Sequence, residues 1–242
     1  MNSEKRDLPT QPTHRTGGQG LDREKVVKAA LRVIDRDGIR ALTMRGLGKE
    51  LGVEAMSLYR YVTGREDLLE AVVVELLTGV MEELDGDITT SWQGYMQNLA
   101  HSVRKLALEH PAAFPLIATR HPAAPWLRPP LRSLDVVENF LTTLQRFGFS
   151  DVQLVEAYRS FTSFLLGHLL LEAAAQGVET SPLEEPIDEG GAQIPNRDGK
   201  TRLNRNSEVF RLRSLLSEDH GAEEFESSLE TLLDRIELEV SQ

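Results

Sequence analysis

The sequence predicts an all-α protein, and three observations predict it. Apolar residues recur at spacings of three and four through most segments, and none shows the period-two alternation of a half-buried strand. Leu, Ala and Glu dominate while aromatic residues make up only 6% of the chain, a composition that favours helix. Capping signatures stand in front of the apolar runs. The 242 residues suffice for one large domain or two small ones, and 40% hydrophobic with 27% charged residues suits a folded core rather than wholesale disorder.

The elements follow in order. Residues 1–20 are polar, without an apolar core, and read as a disordered arm carrying Lys5, Arg6, His14 and Arg15. Asp22 is placed to cap a first helix whose Val27, Ala30, Leu31 and Ile34 share one face, with Leu21 stapling onto Val26 and Gly38 as a left-handed cap. Thr43 caps a short helix to Glu50, Gly52 makes a tight turn, and a second short helix runs from about Glu54 to Tyr61. Thr63 and Glu66 form a capping box that opens a long helix bearing Leu68, Leu69, Val72, Val73, Leu76, Leu77 and Val80. Ser91 caps a helix with Trp92, Met96, Leu99, Val103 and Leu106 inside, stopped at His110-Pro111. A short element over 112–119 and a proline-rich stretch lead to a helix from Leu131 to Phe147. Ser150 and Gln153 box the start of a long apolar helix to about Ala175. Residues 177–205 read as a mobile loop, 206–216 as a weak helix, and 222–240 as a strong one with Phe225, Leu229, Leu232, Leu233, Ile236 and Val240 in one stripe. The domains so drawn are 1–20, a head at 21–67 and a helical body at 68–242.

Composition excludes several functions. Without cysteine there is no disulfide scaffold, thiol nucleophile or Cys-ligated metal site. No apolar run approaches the ~18–20 residues of a membrane span, and the expected location is the cytoplasm. The six histidines show no metal-binding spacing, and neither a phosphate-binding glycine loop nor a nucleophile elbow is present. No metal, no cofactor and no enzymatic activity are expected. Residues 1–70 carry 13 Lys and Arg against 11 Asp and Glu, whereas 71–242 carry 14 against 27. The front is mildly basic and the body strongly acidic, so a polyanion would meet the front.

Thr43 to Tyr61 has the layout of a helix-turn-helix. Leu47, Leu51, Val53 and Leu58 are placed to pack the two short helices together. The outer face of the second carries Glu54, Ala55, Met56, Ser57, Arg60 and Tyr61. Ala55 and Ser57 are small enough for the backbone to approach bases, Met56 or Ala55 can touch a thymine methyl, and Arg60 can pair with guanine. Two short helices around a glycine also occur in helical proteins that never meet DNA, so a helical ligand-binding or assembly protein is the alternative.

The run Ala41-Leu42-Thr43-Met44-Arg45-Gly46-Leu47-Gly48-Lys49-Glu50-Leu51-Gly52-Val53, followed by Ser57-Leu58-Tyr59-Arg60-Tyr61-Val62 and Arg65-Glu66-Asp67-Leu68-Leu69, resembles the DNA-binding domain of the tetracycline-repressor (TetR) family. Ser91-Trp92, Thr119-Arg120, Gly148-Phe149-Ser150 and Gly167 more weakly resemble the regulatory domain of the tetracycline-repressor subgroup. The resemblance implies a homodimeric transcription factor, more often a repressor, whose head binds a palindromic double-stranded DNA operator and whose body binds an effector that lowers DNA affinity. It implies a base contact at Arg45, backbone contacts at Thr43 and Tyr59, recognition-helix positions at Ala55, Met56, Arg60 and Tyr61, and a phosphate contact at Arg65. A helix N-terminus beside an arginine suits that last role.

The subgroup's histidine on the drug–magnesium chelate is matched here by Ile117, and its other drug-contacting positions by Met81, Leu99 and Val103. None offers oxygen to a hard cation, so neither tetracycline nor magnesium is expected. The expected effector is a hydrophobic small molecule. Its apolar lining is drawn from Leu77, Met81, Met96, Leu99, Val103 and Phe114, with Ile117, Trp126, Phe140 and Phe164. Its polar partners come from His110, His121, Asn139 and His168. Plain helical core explains most members of this stripe equally well. The helices over 150–175 and 222–240 carry stripes wide enough to bury a second surface, which two copies would join as a four-helix dimer interface.

Overall fold

The computed structural model describes residues 21–86, 90–119, 121–175, 208–218 and 220–240. The N-terminal arm and the 177–205 loop of the sequence reading lie outside them. Every regular element among these residues is helical: α1 (Arg23–Asp37), a 3-10 turn (Ile39–Ala41), α2 (Met44–Leu51), α3 (Ala55–Leu58), α4 (Arg65–Gly86) and α5 (Trp92–Glu109). A second 3-10 turn (Phe114–Leu116) then precedes α6 (Leu134–Arg146), α7 (Asp151–Ala175), α8 (Glu208–Arg211), α9 (Arg213–Leu216) and α10 (Gly221–Val240).

Helices α1 to α3 and the start of α4 build the head. Asp22 caps α1 by accepting the Lys25 N–H at 2.8 Å, and α1 buries Val26, Val27, Ala30 and Ile34 against α2 and α4. Gly38 closes α1 with its N–H on the Ile34 carbonyl. Its ψ of 162° at φ 80° makes it an extended glycine corner rather than the expected left-handed cap. Thr43 caps α2 through the Gly46 N–H at 3.0 Å. Gly52 ends α2 in the left-handed region (φ 68°, ψ 28°), where a side chain would be strained.

The opening of α4 departs from the expected capping box. The helix begins at Arg65, so Asp67 and not Glu66 occupies its third position. Asp67 accepts the Thr63 N–H at 2.7 Å and the Thr63 hydroxyl at 3.2 Å, and pairs with Arg23 at 2.9 Å. The Thr63 amide, with help from the Thr63 hydroxyl and Arg23, holds the Asp67 carboxyl below the usual carboxylate range against the opposing pull of burial. A carboxyl held low in the folded state stabilises at pH above its unfolded value, and that contribution vanishes as pH falls through the folded one. Asp67→Ala is therefore expected to cost about 1–2 kcal/mol at neutral pH. In thermal melts the gap to wild type should close in strong acid.

The body packs α4 on α5, and α7 on α5, α6 and α10. Ser91, Ser133 and the Ser150–Gln153 box cap α5, α6 and α7. Helix α6 starts three residues later than the sequence suggests. Leu131 and Arg132 are buried, and the Arg132 N–H donates sideways to the Ile117 carbonyl at 3.0 Å, which keeps both residues out of the helix. Trp92 and Phe149 meet edge to face at 5.4 Å and fasten the start of α5 to the 147–150 turn. Among the described residues no helix is long and apolar enough to cross a membrane.

Candidate nucleic-acid interface and effector cavity

The head leaves one face outward. Leu42, Leu47, Leu58 and Val62 are buried behind it. In front, Met56 is 77% exposed, and Thr43, Arg45, Tyr59 and Arg60 are exposed as well. Ala55, Ser57 and Tyr61 are half-buried, and Tyr61 packs part of its ring on the core. Regular helix ends at Leu58, and residues 59–62 continue as tight turns through bonds from Tyr61 and Val62 N–H to the Leu58 carbonyl. The expected helix to Tyr61 is thus shorter, although its surface stays contiguous.

Gly48 sets the elbow between α2 and α3. A Cβ there would lie 2.9 Å from the Val53 carbonyl oxygen and 3.1 Å and 3.2 Å from the Ala55 backbone nitrogen and Cα. The Gly48 carbonyl also accepts the Val53 N–H at 2.9 Å. Arg65 is half-buried at the edge of the face. Its Nε and Nη2 donate to the Leu42 and Ile39 carbonyls, each at 3.4 Å, so it joins α4 to the segment that leads into α2.

A second feature lies in the body. A cavity of about 40 Å³ is walled by side chains of α4, α5, α6 and α7 together with Ile117 and Leu131. Of the fourteen side chains named for it from sequence, the structure brings Leu77, Leu99, Val103, Ile117 and Phe140 to its wall. The rest of the lining is Leu131, Val136, Val137, Tyr158, Phe161, Thr162, Leu165 and Leu166. Phe140 and Phe161 stack at 5.5 Å. The residues of α7 were visible as an apolar stripe, but only the packing shows which side of that helix meets the hollow.

The other candidates lie elsewhere. Met96 and Phe114 are solid core, and Met81 is partly buried against it. Phe164 and His168 pack on Phe225 of α10, with ring centroids 5.7 Å and 5.2 Å away. Trp126 is 73% exposed, because the turn carrying it buries Ala124 and sends the indole outward. Asn139 accepts the Tyr95 hydroxyl at 2.7 Å. His110 and His121 are engaged at the head–body junction. His110 Nδ1 meets Asp35 at 2.9 Å and His121 Nε2 meets Glu70 at 3.1 Å. The Ala123 N–H donates to His121 Nδ1, so Nε2 carries the proton it shares with Glu70.

The lining's polar atoms are the hydroxyls of Thr162 and Tyr158. Tyr158 donates to the Pro129 carbonyl at 2.9 Å, and burial pushes its phenol up to about 12 despite the Thr162 hydroxyl beside it. Two neutral hydroxyls without carboxylate, imidazole or amide do not fit a magnesium chelate.

An all-helical chain with a helix-turn-helix head on a helical body is the architecture of a one-component regulator. Residues 26–72 match the family model described as bacterial regulatory proteins of the tetR family, and residues 86–240 match that of the tetracyclin repressor-like C-terminal domain. The chain belongs to the TetR family of transcriptional regulators. It is 27% identical over 226 residues to the HTH-type transcriptional repressor DrrR1 of Streptomyces coeruleorubidus, an alignment spanning 92% of this chain and 79% of the relative. It is 33% identical over 150 residues to the class D tetracycline repressor protein of Escherichia coli, spanning 62% and 66%. A possible TetR family regulator from Streptomyces coelicolor A3(2) superposes with a TM-score of 0.67 at 26% identity, over 90% of this chain and 99% of that one. The S. coelicolor TetR family protein ActR, crystallised with actinorhodin, shares the fold with a TM-score of 0.64 at 22% identity, over 92% and 100%.

Proposed function

We propose that the chain is a homodimeric repressor. Each head lays its 55–61 surface in the major groove of a palindromic operator, and the dimer lets go when a hydrophobic small molecule occupies the body cavity. The outward face carries the reading: Arg45, Met56, Tyr59 and Arg60 are presented to solvent by a buried leucine scaffold, on the less acidic end of the chain. Dimerisation through α7 and α10 is supported by Val152, Val155, Leu171 and Leu238, which stand exposed on those two helices. An apolar effector is supported by the lining, and a small-molecule effector by the solved complex of ActR with actinorhodin. A helical protein without a DNA partner is not favoured, since family models match both the head and the body.

Genome-wide footprinting followed by mobility shifts at graded salt tests this reading. Arg65→Ala is expected to weaken binding on every sequence and to lower the slope of log affinity against log salt by about 1 per head, as loss of a phosphate contact requires. Arg60→Ala should instead relax preference at one position of each half-site by about 1–3 kcal/mol. An Arg65→Ala protein with unchanged affinity and salt slope on a verified operator would contradict the docking.

A further inference from the structure

We propose that Arg132 couples the cavity to the DNA-reading head through an ion pair with Glu66. This rests on the reading of the cavity as the effector site and of the head as the operator-binding part. As it stands the cavity measures about 40 Å³, whereas a drug-sized ligand takes roughly 300 Å³ or more. An effector must therefore displace part of the wall. Most of that wall is regular helix. Ile117 and Leu131 instead sit on irregular chain between the second 3-10 turn and α6, without a helical ladder to restore them.

These two wall residues are joined through Arg132, whose N–H holds the Ile117 carbonyl and whose neighbour is Leu131. The Arg132 side chain is only 7% exposed. It runs from the wall to the head–body boundary, donating to the Thr119 hydroxyl at 3.3 Å and to Glu66 at 3.2 Å. Glu66 stands in the first turn of α4, next to Arg65, which grips the Ile39 and Leu42 carbonyls just ahead of Thr43 and Arg45. Arg132 Nε is buried without a partner, so the guanidinium has a spare donor and its long bonds can be exchanged when the wall moves. Displacing Leu131 and Ile117 drags Arg132, and Arg132 drags or drops the first turn of α4. Of two other ion pairs at this junction, His110–Asp35 lies away from the cavity wall, and His121–Glu70 involves no wall residue although His121 follows Ile117 on the same irregular chain.

The test needs no natural effector. Val137→Phe fills the cavity from α6, and Val103→Phe fills it from α5, each standing in for a ligand. Each filler is made alone, with Glu66→Ala, and with Asp35→Ala, which cuts the His110 tie. Glu66 is exposed, but its removal leaves the buried Arg132 guanidinium without its carboxylate, so each filler is scored against Glu66→Ala alone and melting curves verify that every variant folds. On the footprinted operator the fillers are expected to weaken binding about tenfold alone and with Asp35→Ala, but less than twofold relative to Glu66→Ala itself. Hydrogen exchange of the amides of residues 68–71, whose N–H groups close the first turn of α4 beginning with Leu68 on the Gly64 carbonyl, gives the same comparison without DNA: the fillers speed it in wild type and not in Glu66→Ala. Equal losses with and without Glu66, or fillers that change neither readout in wild type, overturn the coupling role. Absence of operator binding in wild type, with the exchange pattern intact, would count against the regulator reading and leave the coupling standing.

Discussion

Gly48→Ala is expected to abolish useful operator binding while leaving the body folded. The added methyl would stand 2.9 Å from the Val53 carbonyl oxygen and within 3.2 Å of two Ala55 backbone atoms. No rotamer relieves it, because every one of those neighbours is backbone. Either α3 moves away from α2 or the elbow loses the Val53 N–H bond to the Gly48 carbonyl. Overpacking of this kind costs about 1–3 kcal/mol of head stability. The displaced α3 loses in addition a base contact or two, and a loss of about 3 kcal/mol is roughly a hundredfold in affinity. The matched control is Gly79→Ala, where the new methyl meets nothing within 4 Å in the middle of α4. That substitution should stabilise by about 0.5–1 kcal/mol and leave the mobility shift unchanged. Wild-type operator affinity in Gly48→Ala would show that the elbow does not aim α3.

Phe161→Ala should give the largest loss of stability in the body. Phe161 is 2% exposed, stacks on Phe140 and forms part of the cavity wall. Truncating a buried phenylalanine costs about 3–5 kcal/mol, toward the high end where the surroundings cannot collapse. Here helices α5, α6 and α7 frame the site, and a hollow already adjoins it. Apart from the Thr162 and Tyr158 hydroxyls the enlarged space is lined by aliphatic and aromatic side chains, so it should accept a small arene. Urea unfolding gives the loss. Saturating benzene should then raise the melting temperature of the variant more than that of wild type, since only the variant offers the room. A cost below about 1 kcal/mol, or no selective response to benzene, would mean that the wall closes over the gap and that the hollow is not held open by the helices.

How far the sequence alone could be read follows from the range of the forces involved. Caps and turns act within a few residues, and Asp22, Thr43, Ser91 and the Ser150–Gln153 pair all hold the bonds that their local patterns require. The Thr63 box failed by one residue. Asp67 and Glu66 are both acids near a helix start, and what separates them is the partner each finds across space, Arg23 or Arg132. The start of α6 was misplaced for a similar reason, since the Arg132 amide bonds to Ile117, fifteen residues back, rather than along a helix.

Local pattern by itself determined the all-helical class, the order of the elements and the outward face that carries Met56 and Arg60, because periodicity and capping are properties of neighbouring residues. Only the tertiary structure decided which apolar side chains enclose the hollow and which are solid core, why Trp126 faces solvent, and that Gly48 must lack a side chain. Each of those depends on what a residue meets from a distant part of the chain. A stripe on a helix records that a face is buried, but not what lies on the other side.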